Sequence, residues 1–104
     1  MSEVKTLLGG INNDDLKKLQ EKLNAFNHPI RKRIIDLLAN SIEINVTQIQ
    51  TKLRINDQSV LSLHLSILRK WKYVNVRRDG KFMFYSVNMN EIENLNDLIN
   101  AINK

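Results

Sequence analysis

The chain has 104 residues, no cysteine and a formal net charge of +5, enough for one domain whose modest core gains from dimerisation and whose excess of cations favours an anionic partner. Disulfides, thiolate metal sites and thiol redox sensing are excluded, and no apolar run approaches the ~20 residues of a membrane span. Glu3 and Lys5 before Leu7 and Leu8 do not make a signal peptide, so a cytoplasmic protein with no membrane association is expected.

A loose segment is expected through Gly9-Gly10. Asn13 can then cap a first helix carrying Asp14 and Asp15 in its first turn, the sign that suits a helix N-terminus. Leu16, Leu19, Leu23 and Phe26 form its apolar stripe. His28-Pro29 ends that helix and begins the next, because proline disfavours helix in the preceding residue yet fits a first turn. Ile30, Ile34, Leu37 and Leu38 face inward there, and residues 40–44 read as a connection. Asn45 with Gln48 three positions on has the form of a capping box for a short helix buried through Ile49 and Leu53. Residues 54–57 form a tight turn in which Asn56 or Asp57 caps the next helix, and two helices so joined read as a helix-turn-helix.

The second of those helices, 58–71, organises the rest. At 100° per residue, Val60, Leu61, Leu65, Ile67, Leu68 and Trp71 cover one arc, with His64 at its middle, while Gln58, Ser59, Ser62, Ser66, Arg69 and Lys70 gather on the other. A row of small hydroxyls with one amide and a basic end can lie close against a DNA major groove, where short donors and acceptors reach base edges and cations reach phosphates. The same row would also serve as plain solvated surface. After Trp71 the period becomes alternating: Val74 and Val76, then Phe82, Phe84 and Ser86, with Met83, Tyr85 and Val87 opposite, read as two strands around the hairpin signal Asp79-Gly80. Arg77, Arg78 and Lys81 crowd that turn, either as phosphate contacts or as charges keeping an edge soluble. A basic ribbon directly after a helix-turn-helix is a wing. A last helix from about Asn90 carries Ile92, Leu95, Leu98, Ile99 and Ile102 on one face.

Three motifs carry a family resemblance: His-Pro-Ile-Arg at 28–31, Gln-Ser-Val-Leu-Ser-Leu-His-Leu-Ser-Ile-Leu-Arg at 58–69, and Val-Asn-Val-Arg-Arg-Asp-Gly-Lys-Phe-Met-Phe-Tyr at 74–85. In their order and spacing, from about Leu23 to Val87, the chain resembles the ArsR/SmtB group of winged-helix repressors. The resemblance implies DNA-binding repression by a homodimer whose first and last helices pair across a two-fold axis. It has departures. The 54–57 turn is one residue longer and lacks the customary glycine, Trp71-Lys72 stands where Ala-Gly is common, and Leu63 is often polar in relatives. Asn45 and Thr47 occupy the positions of the metal-sensing cysteines, and the last helix has no histidine.

These readings combine into a mainly α fold with a small β-hairpin, a dimeric winged helix-turn-helix occupying 1–104 as a single domain. Helices 13–27 and 90–103 are assigned to dimerisation, 45–71 to the helix-turn-helix and 74–87 to the wing. The expected partners are double-stranded DNA and a second copy, with an effector or protein partner left open. Gln58, Ser59, Ser62 and Leu63 are candidate base contacts. Thr47, Gln48, Ser66, Arg69, Lys70, Arg77, Arg78 and Lys81 are candidate backbone or wing contacts, and Leu16, Leu19, Leu23, Ile92, Leu95, Leu98, Ile99 and Ile102 candidate dimer contacts. No cofactor, metal or catalytic group is expected: the acids look like helix-start charges, no nucleophile has an evident base, and the two histidines, His28 and His64, lie on different helices. The competing reading is a winged-helix protein-interaction module without specific DNA binding.

Overall fold

The computed structural model describes residues 12–102, so the segment expected to be loose through Gly10 lies outside it, as does the side chain of Ile102. The described residues form, in chain order, α1 (Asn13–Phe26), α2 (Pro29–Ala39), β1 (Ile44–Asn45), α3 (Val46–Leu53), α4 (Gln58–Lys70), β2 (Val74–Asp79), β3 (Phe82–Val87) and α5 (Met89–Ile102). Ile34, Leu38, Ile49, Leu61, Leu65 and Leu68 are sealed from solvent at the centre, where α2, α3 and α4 meet. Ile35, absent from the inward set read off the sequence, is buried as well.

Local chemistry sets most helix boundaries. The cap of α1 is Asn12 rather than Asn13: Asn12 is extended (ψ 175°) and its side chain accepts from Asp15 N–H at 2.8 Å, whereas Asn13 is already helical. With two adjacent asparagines, only the backbone chooses between them. His28 is extended (φ −144°, ψ 133°), as the residue before proline requires, and its Nδ1 accepts from Ile30 N–H at 3.1 Å. The capping box forms as expected: Asn45 Oδ1 accepts from Gln48 N–H and Gln48 Oε1 from Asn45 N–H. Asp57 caps α4 through Ser59 N–H at 2.9 Å. The last helix begins at Met89, one residue before its expected start.

The two positions without the customary glycine adopt the glycine conformation anyway. Arg54 (φ 55°) and Lys72 (φ 63°) are the non-glycine residues with positive φ among those described. Each ends a helix in a Schellman motif. Ile55 N–H reaches Gln50 O at 3.0 Å and Arg54 N–H reaches Thr51 O at 3.3 Å; Tyr73 N–H reaches Leu68 O and Lys72 N–H reaches Arg69 O, both at 3.0 Å. The residue following each left-handed position, Ile55 or Tyr73, packs into or against the core and offsets the left-handed strain of about 1–2 kcal/mol. Cross-links fix the longer turn: Gln50 Nε2 donates to Asn56 O and Arg33 Nη2 to Leu53 O, each at 2.9 Å. Asn88 Nδ2 donates to Lys72 O at 2.9 Å, and the Tyr73 hydroxyl donates to Lys22 O at 2.8 Å.

Two strands were expected and a three-stranded antiparallel sheet is found, ordered β1-β3-β2. The additional strand falls in and just after the expected 40–44 connection: Ile44 pairs with Tyr85 and Asn45 with Phe84. Two residues are too few to show an alternation, so β1 exists only through the β3 edge it completes. Asp79 pairs with Phe82, which leaves Gly80 and Lys81 as the two-residue turn, one position later than the Asp79-Gly80 signal. Gly80 has φ 61° while Lys81 does not have positive φ, the pattern of a type II′ hairpin. The register also sorts the faces, since Val74 opposes Val87 and Val76 opposes Tyr85. The inner face of the wing is thus Val74, Val76, Tyr85 and Val87, with Phe82 and Phe84 outward.

Candidate nucleic-acid interface

Helix α4 buries Leu61, His64, Leu65 and Leu68 and exposes Gln58, Ser59, Ser62, Leu63, Ser66, Arg69 and Lys70. This is the expected division with one exception. Val60 was placed on the apolar arc and is 39% exposed, because the inward direction centres on Leu61, Leu65 and Leu68 and leaves Val60 on its flank. No acid occupies α4, and the Asp57 carboxylate at its start is engaged in capping.

The wing tip comes down beside the start of α4. A groove of about 260 Å³ between them is lined by Thr47 from α3, Gln58 from α4, and Lys81, Phe82 and Met83 from the wing, with Asn45 at its side. Three candidates from separate parts of the sequence, Thr47, Gln58 and Lys81, are therefore gathered around one opening. Phe82, 47% exposed with Lys81 Nζ 5.6 Å from its ring centre, was assigned only to a strand face. An exposed phenylalanine next to the turn cation was the signal available.

Other candidates are held elsewhere. The Arg77 guanidinium makes a forked pair with Glu43, comes within 3.8 Å of Asp79 and lies over the Phe84 ring at 4.9 Å. Its hydrogen bond holds the Glu43 carboxyl below its usual range, and Glu43 in turn raises Arg77. Much of the Arg77 charge is thus answered within the protein. Arg78 Nε donates to Gly80 O at 3.1 Å, which keeps it at the turn. Gln48 is committed to the capping box. Arg69 and Lys70 stand at the other end of α4, about 18 Å along the helix from Gln58, with Lys70 Nζ 5.4 Å from the Trp71 ring centre. Trp71 packs against the core.

Behind the exposed face the two histidines meet, although His28 caps α2 and His64 lies within α4. Their ring centroids are 4.6 Å apart, and Arg31 Nη1 lies 3.2 Å from His64 Nδ1. Arg31 also donates to the carbonyls of Ala25 and Asn24, tying the α1–α2 corner to the middle of α4. Burial, with the neighbouring His28 and Arg31 charges, pushes the His64 pKa down, so the ring is neutral and accepts from Arg31. Among the described residues, no three His, Cys, Asp or Glu side chains are placed to hold a metal ion.

At the opposite end α1 and α5 flank a cavity of about 220 Å³ lined by Leu23, Asn24, Phe26, Asn27, Lys32, Leu95 and Ile99. Lys22 and Glu91 join the two helices at 2.9 Å. Leu16 is exposed, Leu19 and Leu98 are half-buried, and Leu23, Ile92 and Ile99 pack partly against the protomer's own core. Leu95 is 1% exposed in the single chain, so it belongs to the protomer core and is not available as a contact with a second copy.

No family model matches the chain. The transcriptional repressor PagR of Bacillus anthracis is 35% identical over 82 residues, covering 79% of this chain and 81% of that protein. The repressor SdpR of Bacillus subtilis is 32% identical over 81 residues, covering 77% and 88%. The PagR crystal structure superposes with a TM-score of 0.65 over 85% of this chain and 99% of its own, and the structure of HlyU from Vibrio cholerae with 0.67 over 88% and 97%, at 26% identity. The chain belongs to the ArsR/SmtB family of winged-helix transcriptional regulators. It is a DNA-binding regulator of transcription. Within this fold Arg54 and Lys72 take the left-handed conformation that glycine favours, and Asn45 starts α3 through its capping box.

Proposed function

We propose that this ArsR/SmtB-family protein acts as a homodimer that represses transcription by occupying a palindromic operator. Helix α4 would lie in the major groove, with Gln58, Ser59, Ser62 and Leu63 toward base edges. Lys81 and Arg78 of the wing, Thr47 of α3, and Ser66, Arg69 and Lys70 would meet the backbone, with Arg77 and Gln48 contributing less because of their internal partners. In a two-fold dimer the two α4 helices would enter successive major grooves about 34 Å apart. The observation that carries this reading is the groove that gathers Thr47, Gln58 and Lys81 beside an α4 face without acids.

The relatives' names as repressors support repression here; HlyU, named as an activator, is the reason the sign of regulation needs its own measurement. The protein-interaction module is less well supported, because a partner-binding face would not need Lys81 and Gln58 gathered around one groove. No enzymatic activity is assigned. Regulation would come from a protein partner or from protein amount rather than from metal, since among the described residues the neighbouring pair His28 and His64 has no third ligand beside it. Selection of bound sequences from a random DNA pool should return a two-fold symmetric consensus. A pool without consensus would remove this reading, and a reporter behind the selected site should fall on expression of the protein.

A further inference from the structure

Beside the hydroxyls of α4 runs a solvent-exposed apolar pair, as the described residues leave it. Leu63 is 60% exposed and Val60 is 39% exposed. They stand three positions apart and so are neighbours on one side of the helix, next to the row of Ser59, Ser62 and Ser66. On the helical wheel Leu63 falls near the direction opposite Leu61 and Leu68, which is the centre of the exposed face. A surface built only for solvent or for phosphates would carry polar or cationic side chains there.

Building on the DNA reading above, we infer that Leu63, with Val60 at its flank, reads thymine 5-methyl groups, so that each operator half-site carries A·T pairs beneath the first two turns of α4. Within the major groove, thymine alone among the bases offers an apolar group. Over a G·C pair the leucine would strip water from O6, N7 or N4 and return no hydrogen bond, an unpaired-polar cost that disfavours that pair. The neighbouring groups suit the same base pair: a serine hydroxyl can donate to thymine O4, and an amide such as Gln58 matches adenine N6 and N7. Apart from the Asp57 carboxylate, which is engaged in capping α4, the charges flanking the face are cationic, Lys81 at one end and Arg69 and Lys70 at the other, which favours a duplex over an apolar protein surface against the leucine.

The test takes the consensus half-site from the random-pool selection and replaces thymine by deoxyuridine one position at a time, with binding of wild type, Leu63→Ala and Val60→Ala measured on each duplex. At one or two positions wild type should lose roughly fourfold per missing methyl, the worth of one buried methylene, and about fifteenfold when both half-sites are changed. Leu63→Ala should bind thymine and uracil duplexes alike at the main position. Both residues are exposed, so folding is not at stake, and an unchanged melting temperature records that. A consensus bound equally well with uracil would overturn this inference and leave the DNA reading intact; so would a uracil penalty undiminished in both variants. A pool without consensus would remove both.

Discussion

Lys72 occupies a backbone conformation that glycine favours, with φ 63°. Its side chain is exposed and makes no hydrogen bond or ion pair among those described, so Lys72→Gly removes left-handed strain at little other cost. The gain should be up to about 1 kcal/mol, since the strain relieved exceeds glycine's greater freedom in the unfolded chain. Chemical denaturation should show a higher midpoint and unchanged slope; a lower midpoint would mean that the lysine stem packs usefully. His64 gives a second residue-scale expectation. Its folded pKa lies below the unfolded value of about 6.5, so below that pH the unfolded chain takes up the proton first. The contribution of the neutral ring is complete above the unfolded pKa and is lost as pH falls toward the folded one. Thermal melts should therefore decline from pH 7.5 to pH 5, and His64→Gln, which can still accept from Arg31, should flatten that decline. Tyr73, pushed up to about 12 by burial and then by Glu91, is neutral through this range and does not contribute to it.

The helix and the wing hold DNA by different physics, so they should fail differently. Gln58→Ala should cost roughly 1–3 kcal/mol on the selected site if the amide pairs with two atoms of one adenine, with little change on random DNA. Lys81→Ala should weaken both kinds of DNA and flatten the salt dependence by up to about one unit of slope per phosphate lost in each half-site. Competition binding at several salt concentrations separates these outcomes, and equal losses on both DNAs from Gln58→Ala would argue that it reads no base. The wing also depends on one backbone position. Gly80 has φ 61° and no atom near where a Cβ would stand, so Gly80→Ala is a test of conformation alone. It should cost about 1–2 kcal/mol of hairpin stability and displace Lys81 from the groove, visible as weaker binding with a wild-type core.

For the whole molecule the deciding question is how much apolar surface one protomer leaves at α1 and α5. Leu16 is exposed and Leu19 and Leu98 are half-buried in the single chain, a pattern a second copy would cover. Sedimentation at micromolar concentration should give a dimer, and Leu16→Asp with Leu19→Asp should give a folded monomer that binds a half-site weakly. Leu95→Asp would instead unfold the protomer, because its side chain is sealed within one chain. A wild-type monomer bound to a full operator would refute the two-fold arrangement.

Much of this protein was legible in the residues themselves, and for one physical reason: the features read correctly are local. The capping box of Asn45 and Gln48, the Asp57 cap, the proline break at 29, the hairpin near Gly80 and the acid-free face of α4 each need only neighbours within about one helical turn or one hairpin. What the tertiary structure decided involves groups far apart in the chain. Arg77 meets Glu43 across 34 positions and Arg31 meets His64 across 33, so no periodicity could show that much of one cation's charge is answered within the protein or that two histidines meet. Strand β1 exists only because β3 offers it an edge, and Leu95 is core because α5 lies against α1. Arg54 and Lys72 show how the two levels meet. Local preference asks for glycine at both, and the burial of Ile55 and Tyr73 that follows each turn is strong enough to hold an arginine and a lysine in its place.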